Sequence, residues 1–270
     1  MARLAPAKRP KTLPPVHPNA GIEAAYRRKL QSYIKAMNDS VLYWLGAAYK
    51  SNEPHIAMDE LPASALKRAI RMLGRRWQKK FDKLAKELAD YFAQAVQERS
   101  AASLQSILKR NGFTVEFKMT PAMQDIFRAT VNENVALIKS IPAQYLTQVE
   151  GSVMRSVTAG RDLGSLAKGL TEHYGVSKRR AAFISRDQNN KATAAFTRAR
   201  QIESGVTEAI WLHSRGGKHP RPSHLKAGRD KQRYDVREGW LDPDLGRRIF
   251  PGELPSCRCV AKAVVPGFGT

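Results

Sequence analysis

The sequence predicts a mainly α protein whose elongated helical N-terminal part is followed by a small C-terminal α+β module. Three observations carry that expectation. Apolar residues recur at helical spacing over long stretches between Ile22 and Ile202, Pro and Gly interrupt them at a few places, and beyond Ser204 the pattern gives way to short apolar runs between Gly/Pro-rich loops. The expected division is an extended basic Pro-rich arm over 1–19, a helical domain over 20–175 and the module over 176–270.

The arm holds Pro6, Pro10, Pro14, Pro15 and Pro18 among Arg3, Lys8, Arg9 and Lys11, a composition that builds no core and favours an extended chain. It should dock on something or stay mobile. From Gly21 the stripe Ile22, Tyr26, Leu30, Tyr33, Ile34, Met37, Val41, Trp44, Leu45 and Ala48 marks a first helix, which segment 52–62 breaks with Pro54 and Pro62. A second helix opens near Pro62, and its stripe Leu66, Ile70, Leu73, Trp77, Phe81, Leu84, Leu88, Tyr91 and Ala95 runs for about eight turns, roughly 45 Å, so the first two helices should pack along each other. Asn111-Gly112 marks a turn, Phe113 to Lys118 alternates like a short strand, and Thr120-Pro121 opens another helix. Ile141-Pro142 should separate that helix from the next, with Gly160, Gly164 and Gly175 punctuating two more before a last helix from Ser177 to about Ser204.

Charge narrows the choice of partner. Forty-six Lys and Arg against 24 Asp and Glu give a formal net charge of +22, more than solubility needs, which makes a polyanion the leading partner and double-stranded DNA the natural one. No run of 18 or more apolar residues points to a membrane, and the Pro-rich N-terminus has no signal-peptide core, so a soluble, non-secreted protein is expected. The two cysteines are one residue apart, a spacing that suits a disulfide poorly and agrees with a reducing compartment.

The cations concentrate on the second helix. Lys67, Arg68, Arg71, Arg75, Arg76, Lys79, Lys80, Lys83 and Lys86 surround the apolar stripe with Asp82 alone to offset them. Such a face neutralises phosphates without reading bases, although a solvated face or an acidic protein partner fits the same pattern. In the last helix Ile184, Ala192, Ala195, Ala199 and Ile202 define the buried side, and Gln188 falls within it beside Asp187, Asn190 and Lys191, so a hydrogen-bond network should fix this helix against the C-terminal strands. Trp211, in Ala-Ile-Trp-Leu, reads as core.

His213, His219, His224, Cys257 and Cys259 form the metal-ligand set, of which His224, Cys257 and Cys259 are the candidate Zn²⁺ site. Two readings stay open. A straight strand holds the thiols of Cys-x-Cys too far apart for one ion unless it bends; otherwise Cys257 and Cys259 are core residues alternating with Arg258 and Val260 on a final strand that Ala261, Ala263 and Val265 continue.

Taken in order, Arg186-Asp187-Gln188-Asn189-Asn190-Lys191, Glu208-Ala209-Ile210-Trp211-Leu212, Arg221-Pro222-Ser223-His224 and Pro255-Ser256-Cys257-Arg258-Cys259 resemble the signature of the phage head-morphogenesis family, the Mu F-like minor head proteins. The match covers roughly 178–265. It departs from the usual pattern before Arg221, where Arg215-Gly216-Gly217-Lys218-His219 stands in place of an acidic residue. The resemblance implies a minor head protein of a tailed double-stranded DNA phage. It would be present in virions and, during assembly, in the host cytoplasm, associated with the portal protein and with major capsid or scaffold protein, and would support head assembly and DNA packaging or ejection. It also implies that Arg186, Asp187, Gln188, Asn190, Lys191, Trp211, Arg221 and His224 form a structural motif, with no catalysis. The rival is an enzyme, a metal-dependent nuclease or an ADP-ribosyltransferase-like module. The acids of the C-terminal module, Glu203, Glu208, Asp230, Asp235, Glu238, Asp242, Asp244 and Glu253, are scattered in sequence, unlike the clustered carboxylates a nuclease uses for hard metal ions.

Overall fold

A computed structural model describes residues 10–51, 62–159, 163–217 and 219–265. The described residues form a mainly α fold with a small strand-containing C-terminal region. In order they are β1 (Lys11–Thr12), α1 (Ala20–Ser51), α2 (Pro62–Arg110), α3 (Pro121–Thr158), α4 (Leu163–Glu203), β2 (Glu208–Leu212), α5 (Pro222–Arg229), β3 (Arg233–Asp235), β4 (Trp240–Asp242), β5 (Arg247–Ile249) and β6 (Val260–Val265). The first part of the arm, the 52–61 segment and Gly160 lie outside the described residues.

The chain gathers into two compact units that do not follow the linear order 1–19, 20–175, 176–270. One unit comprises 23–92 and 131–185; the other comprises 1–22, 93–130 and 186–270. In the first, Tyr26, Leu30, Ile34, Met37, Val41 and Leu45 of the α1 stripe are buried, as are Leu66, Ile70, Leu73, Trp77, Phe81, Leu84 and Leu88 of the α2 stripe, whereas Trp44 and Tyr91, expected on the same stripes, are exposed. Tyr26 stacks on Phe92 at 4.5 Å and Tyr33 meets Phe81 edge-on at 5.9 Å, so α1 and α2 run antiparallel. Two buried hydrogen bonds tie α1 to α3: the Tyr26 hydroxyl donates to Asn134 Oδ1 at 2.7 Å and the Tyr145 hydroxyl to Asn38 Oδ1 at 2.8 Å. Burial holds the Tyr26 and Tyr145 phenols well above their ordinary pKa, so both remain donors.

Two of the expected helix breaks, at Pro142 and Gly175, fail to occur, while α3 and α4 do part between Thr158 and Leu163. α3 continues through Pro142, because Asn134, Ile138, Ile141, Tyr145, Val149 and Val153 keep one stripe buried on either side of it. Packing of that stripe outweighs the backbone hydrogen bond a proline cannot donate. α4 likewise begins at Leu163 and passes through Gly175, since Leu166, Leu170, Ser177, Ala181, Ile184 and Gln188 form one buried stripe. A helical glycine costs only about 1 kcal/mol relative to alanine. α2 is also longer than its first stripe suggests: 49 residues, about 74 Å, with Leu104, Ile107 and Leu108 buried near its end.

In the second unit the sheet order is β1-β6-β2-β3, every pair antiparallel, with β4 and β5 forming a separate hairpin. β2 is central and its Ala209, Ile210 and Trp211 are all buried. The arm supplies β1: Lys11 pairs with Val265, Thr12 with Val264, and the Leu13 amide donates to Ala263 O at 2.9 Å. Of the two expectations for the arm, docking or mobility, its described part docks, and Leu13 and Val16 enter the core with Trp211, Val236 and Leu254. Phe113 to Lys118 is not a strand. Its side chains alternate between half-buried and exposed, but its carbonyls are taken by side chains, Val115 O by Gln105 Nε2 at 2.9 Å and Lys118 O by Arg200 Nη1.

Leu13→Ala should lower the unfolding free energy by about 2–5 kcal/mol, through lost burial and the cavity left behind. The denaturation midpoint measures this. An unchanged midpoint would detach the arm from the core.

Candidate functional site

The second half of α4 is unusual in being buried while polar. Ser185, Asp187, Gln188, Asn189, Asn190, Thr193, Thr197, Arg200 and Gln201 are all buried beside Ile184, Ala192, Phe196 and Ala199. Buried polar groups need partners, and much of this set finds them in one turn of chain. Asp187 Oδ1 accepts the Ser256 amide at 2.6 Å, while its Oδ2 pairs with Lys191 Nζ at 3.1 Å. One helical turn on, Asn190 Nδ2 donates to Cys257 O at 3.2 Å. Asn189 Nδ2 donates to Asn19 O at 3.0 Å, fastening the arm to the same helix. Gln188 is buried in this row and Arg186 half-buried at its edge.

The turn that α4 grips is shaped to come close. A Cβ on Gly252 would lie 2.9 Å from Ala194 Cβ, and its φ of +83° lies in the left-handed region that glycine favours. Ser256 also has positive φ, 62°, which swings the chain so that Cys257, Arg258 and Cys259 precede the β6 ladder instead of joining it. This corrects the straight-strand reading of Cys-Arg-Cys. The Cys257 amide donates to Leu254 O at 2.9 Å, and Arg221 Nη2 to Pro255 O at 3.1 Å, so the Arg221 turn holds the loop from its other side.

His224 is carried by α5. Pro222 opens that helix, and the N-cap residue Arg221 makes no capping bond; the carboxylate of Asp244 instead accepts the Ser223 amide at 3.3 Å. The His224 ring lies edge-on to Trp211 at 4.9 Å, and Trp211 in turn packs on Trp240 at 5.1 Å. Trp211 is thus a core residue that walls the site. His224 Nδ1 points at both cysteines, 3.5 Å from Cys257 Sγ and 3.8 Å from Cys259 Sγ, and the three donor atoms lie within 4.8 Å of one another. All three residues are buried, and both thiols are free. On the far side of the ring, Nε2 is 3.5 Å from Asp242 Oδ2, too long for a hydrogen bond.

Asp242 is fully buried, accepts from Ser223 Oγ at 3.3 Å through Oδ2, and takes the Asp244 amide at 2.9 Å through Oδ1. It is the residue that sequence reasoning left among scattered acids. The signal was present in Asp242-Pro243-Asp244, a turn whose first carboxylate bonds the backbone two residues on. Within the thiol pair, the bond from Cys259 pulls the Cys257 thiol well below its ordinary pKa, with His224 assisting against burial, while the neighbouring sulfur and burial push Cys259 up. The two titrate as a unit. His213 stands close enough to feel both Cys257 and His224, but burial comes first in lowering its pKa, and its Nδ1 accepts the Arg215 amide at 3.0 Å. His219 belongs to no metal-ligating cluster among the described residues.

The basic residues of α2 belong to the other unit. Lys67, Arg68, Arg71, Arg75, Arg76, Lys79, Lys80, Lys83 and Lys86 are all exposed, and Ser64, Lys67, Arg68, Arg71 and Arg75 line an open groove of about 420 Å³. Asp82 is engaged elsewhere: Gln78 Nε2 donates to it at 3.1 Å and Lys139 Nζ on α3 lies 3.7 Å away. It therefore does little to offset the face. Lys80 rests over the Trp77 ring at 4.3 Å.

Comparison with known proteins bears on residues 147–262, which match the model of the family described as Phage Mu protein F like protein. An uncharacterized protein of Haemophilus influenzae is 27% identical over 252 residues, covering 91% of this chain and 54% of the relative, so the chain spans about half of that relative's length. No solved structure matches.

Asp187→Ala should destabilise the protein by about 1–3 kcal/mol, because the Ser256 amide loses its buried acceptor and the Asp187–Lys191 ion pair is removed. Gly228→Ala should do so independently, since its Cβ would stand 2.4 Å from His213 Cβ and 2.9 Å from the His213 backbone nitrogen. Thermal melts followed by Trp fluorescence report both, and a wild-type melt for either variant would contradict the packing described.

Proposed function

We propose, from the match of residues 147–262 to the family described as Phage Mu protein F like protein, that the chain is a minor head protein of a tailed double-stranded DNA phage. It is portal-associated, meets the major capsid or scaffold protein, and supports head assembly and DNA packaging or ejection by holding DNA without reading its sequence. It resides in the virion, and in the host cytoplasm while heads assemble. Among the described residues no helix is long and apolar enough to cross a membrane.

The observation that carries the DNA-holding part is the exposed cationic face of α2, set on a chain with net charge +22. Asp82, the acid within the basic run, is turned toward Gln78 and Lys139. Lysines and arginines on such a face displace condensed counterions from phosphates, which gives strong binding that falls with salt and ignores base sequence. The work is tethering, and the proposal assigns no bond-breaking step. Asp187 and Asp242 suit that reading, because both carboxylates are buried and committed to hydrogen bonds.

If six to eight phosphates are bound, log affinity for duplex DNA should fall against log salt with a slope of about −5 to −7. Replacing Lys67, Arg71, Arg75, Lys79 and Lys83 with Gln should flatten the slope by about one for each phosphate that is no longer neutralised. Fluorescence anisotropy across a salt series measures this, and an unchanged slope would move the binding face elsewhere. Mass spectrometry of purified particles and procapsids tests the rest: the chain should appear in a fixed ratio to the portal, and its absence from particles would overturn the head-protein reading.

A further inference from the structure

The cluster at His224 does not depend on the head-protein reading. Two sulfurs and one imidazole nitrogen, all buried, face a common point, and their separations have a meaning. With Zn–S about 2.3 Å and Zn–N about 2.0–2.1 Å, neighbouring S and N ligands in a tetrahedral site stand about 3.5–3.6 Å apart and two S ligands about 3.8 Å apart. The 3.5 Å from His224 Nδ1 to Cys257 Sγ equals the S–N edge of such a tetrahedron, the 3.8 Å to Cys259 Sγ is slightly longer, and the three donor atoms all lie within 4.8 Å of one another.

We propose that His224 Nδ1, Cys257 Sγ and Cys259 Sγ bind one Zn²⁺ ion, with Asp242 orienting the imidazole from its far side and a water molecule in the fourth position. Three further features of the fold point the same way. A straight strand puts the two thiols of a Cys-x-Cys on one face but about 6.5–7 Å apart, whereas the chain after the Ser256 turn leaves the strand and holds them, with His224 Nδ1, within 4.8 Å of one another. The chain around them is fixed by Asp187, Asn190 and Arg221, so the donors are held before any ion arrives. And His224 Nε2 is a buried polar atom without a hydrogen bond, facing a buried carboxylate oxygen 3.5 Å away. Metal-bound histidines donate their other ring N–H to such a carboxylate, which fixes the tautomer and leaves the opposite nitrogen free to bind the ion. Binding to Nδ1 requires the proton on Nε2, and that is the nitrogen that faces Asp242. Thiolate and imidazole donors suit zinc ahead of Mg²⁺ or Ca²⁺, which take oxygen ligands.

The ion would join α5 to the segment entering β6, two pieces of chain 33 residues apart at His224 and Cys257. Chelation should therefore loosen the module.

The test uses the full chain, expressed with zinc and also stripped and titrated with Co²⁺ as a spectroscopic probe. The expected result is close to one zinc per chain by elemental analysis and, with Co²⁺, a thiolate-to-metal absorption band that saturates at one equivalent. Cys257→Ser and Cys259→Ser should each weaken or abolish the band. Asp242→Asn should keep the one-to-one stoichiometry while lowering affinity about 10–100-fold, an effect specific to a residue orienting a ligand. If the variants fail to fold, the wild-type titration alone decides. A wild-type chain without zinc, showing no thiolate band at saturating Co²⁺, would overturn the site and leave two buried thiols beside an imidazole.

Discussion

A carboxylate and an amide on one turn of α4 set the position of a loop almost 70 residues further along the chain. Asp187 accepts the Ser256 amide and Asn190 donates to Cys257 O, and both side chains are buried, where an unmatched polar group is costly. The loop in turn must present its backbone at that point, which the left-handed conformation of Gly252 and the positive φ of Ser256 permit. Once Ser256 and Cys257 are pinned, the order of the rest follows. Arg221 reaches Pro255 O from α5, His224 on the same helix faces both sulfurs, and Trp211 on the central strand closes the wall behind the ring. Short motifs far apart in sequence are thus parts of one clasp.

The protein divides its chemistry between its two units. In the unit that holds the clasp, acids and amides are buried and used to position chain. In the other, hydrophobic stripes and two buried tyrosine hydrogen bonds hold helices together, and the cations of α2 are left outside. That separation suits a tether. A folded region with satisfied polar groups gives a fixed shape for protein contacts, while an exposed cationic face needs only charge density to hold a polyanion.

The long helices were legible because their stripes are regular: between Tyr26 and Leu45 and between Leu66 and Leu88 most stripe residues are buried as their spacing requires, with Trp44 at the stripe's edge exposed. The breaks were not, since Pro142 and Gly175 act locally whereas the stripes through them are buried by neighbouring helices that no local rule contains. Phe113 to Lys118 shows the reverse limit: its alternation is real, but a strand needs a neighbour, and here the carbonyls go to Gln105 and Arg200. How the arm docks was not legible because composition averages over residues, whereas Leu13 and Val16 enter the core while β1 pairs with β6 and Asn189 holds Asn19. At the site, the separate motifs were readable, and that Gln188 would fall among buried polar residues followed from its phase on the helix. What could not be read was the Ser256 turn, a single backbone conformation that decides whether two cysteines stand apart or together. Asp242 was legible in part, because Asp-Pro-Asp marks its turn, but its place beside His224 comes from the fold and not from the chain around it.

Ser256 is on the surface, yet its amide ends on a buried carboxylate, which gives the clasp a direct observable. Amide hydrogen exchange at Ser256 in the native protein should be slow, comparable to that of the β2 and β6 amides, and should accelerate by orders of magnitude in Asp187→Ala while the α1 and α2 amides are unaffected. Exchange at Ser256 as fast as in an open loop of the wild-type protein would contradict the claim that α4 holds this turn, and with it the placement of every residue around His224.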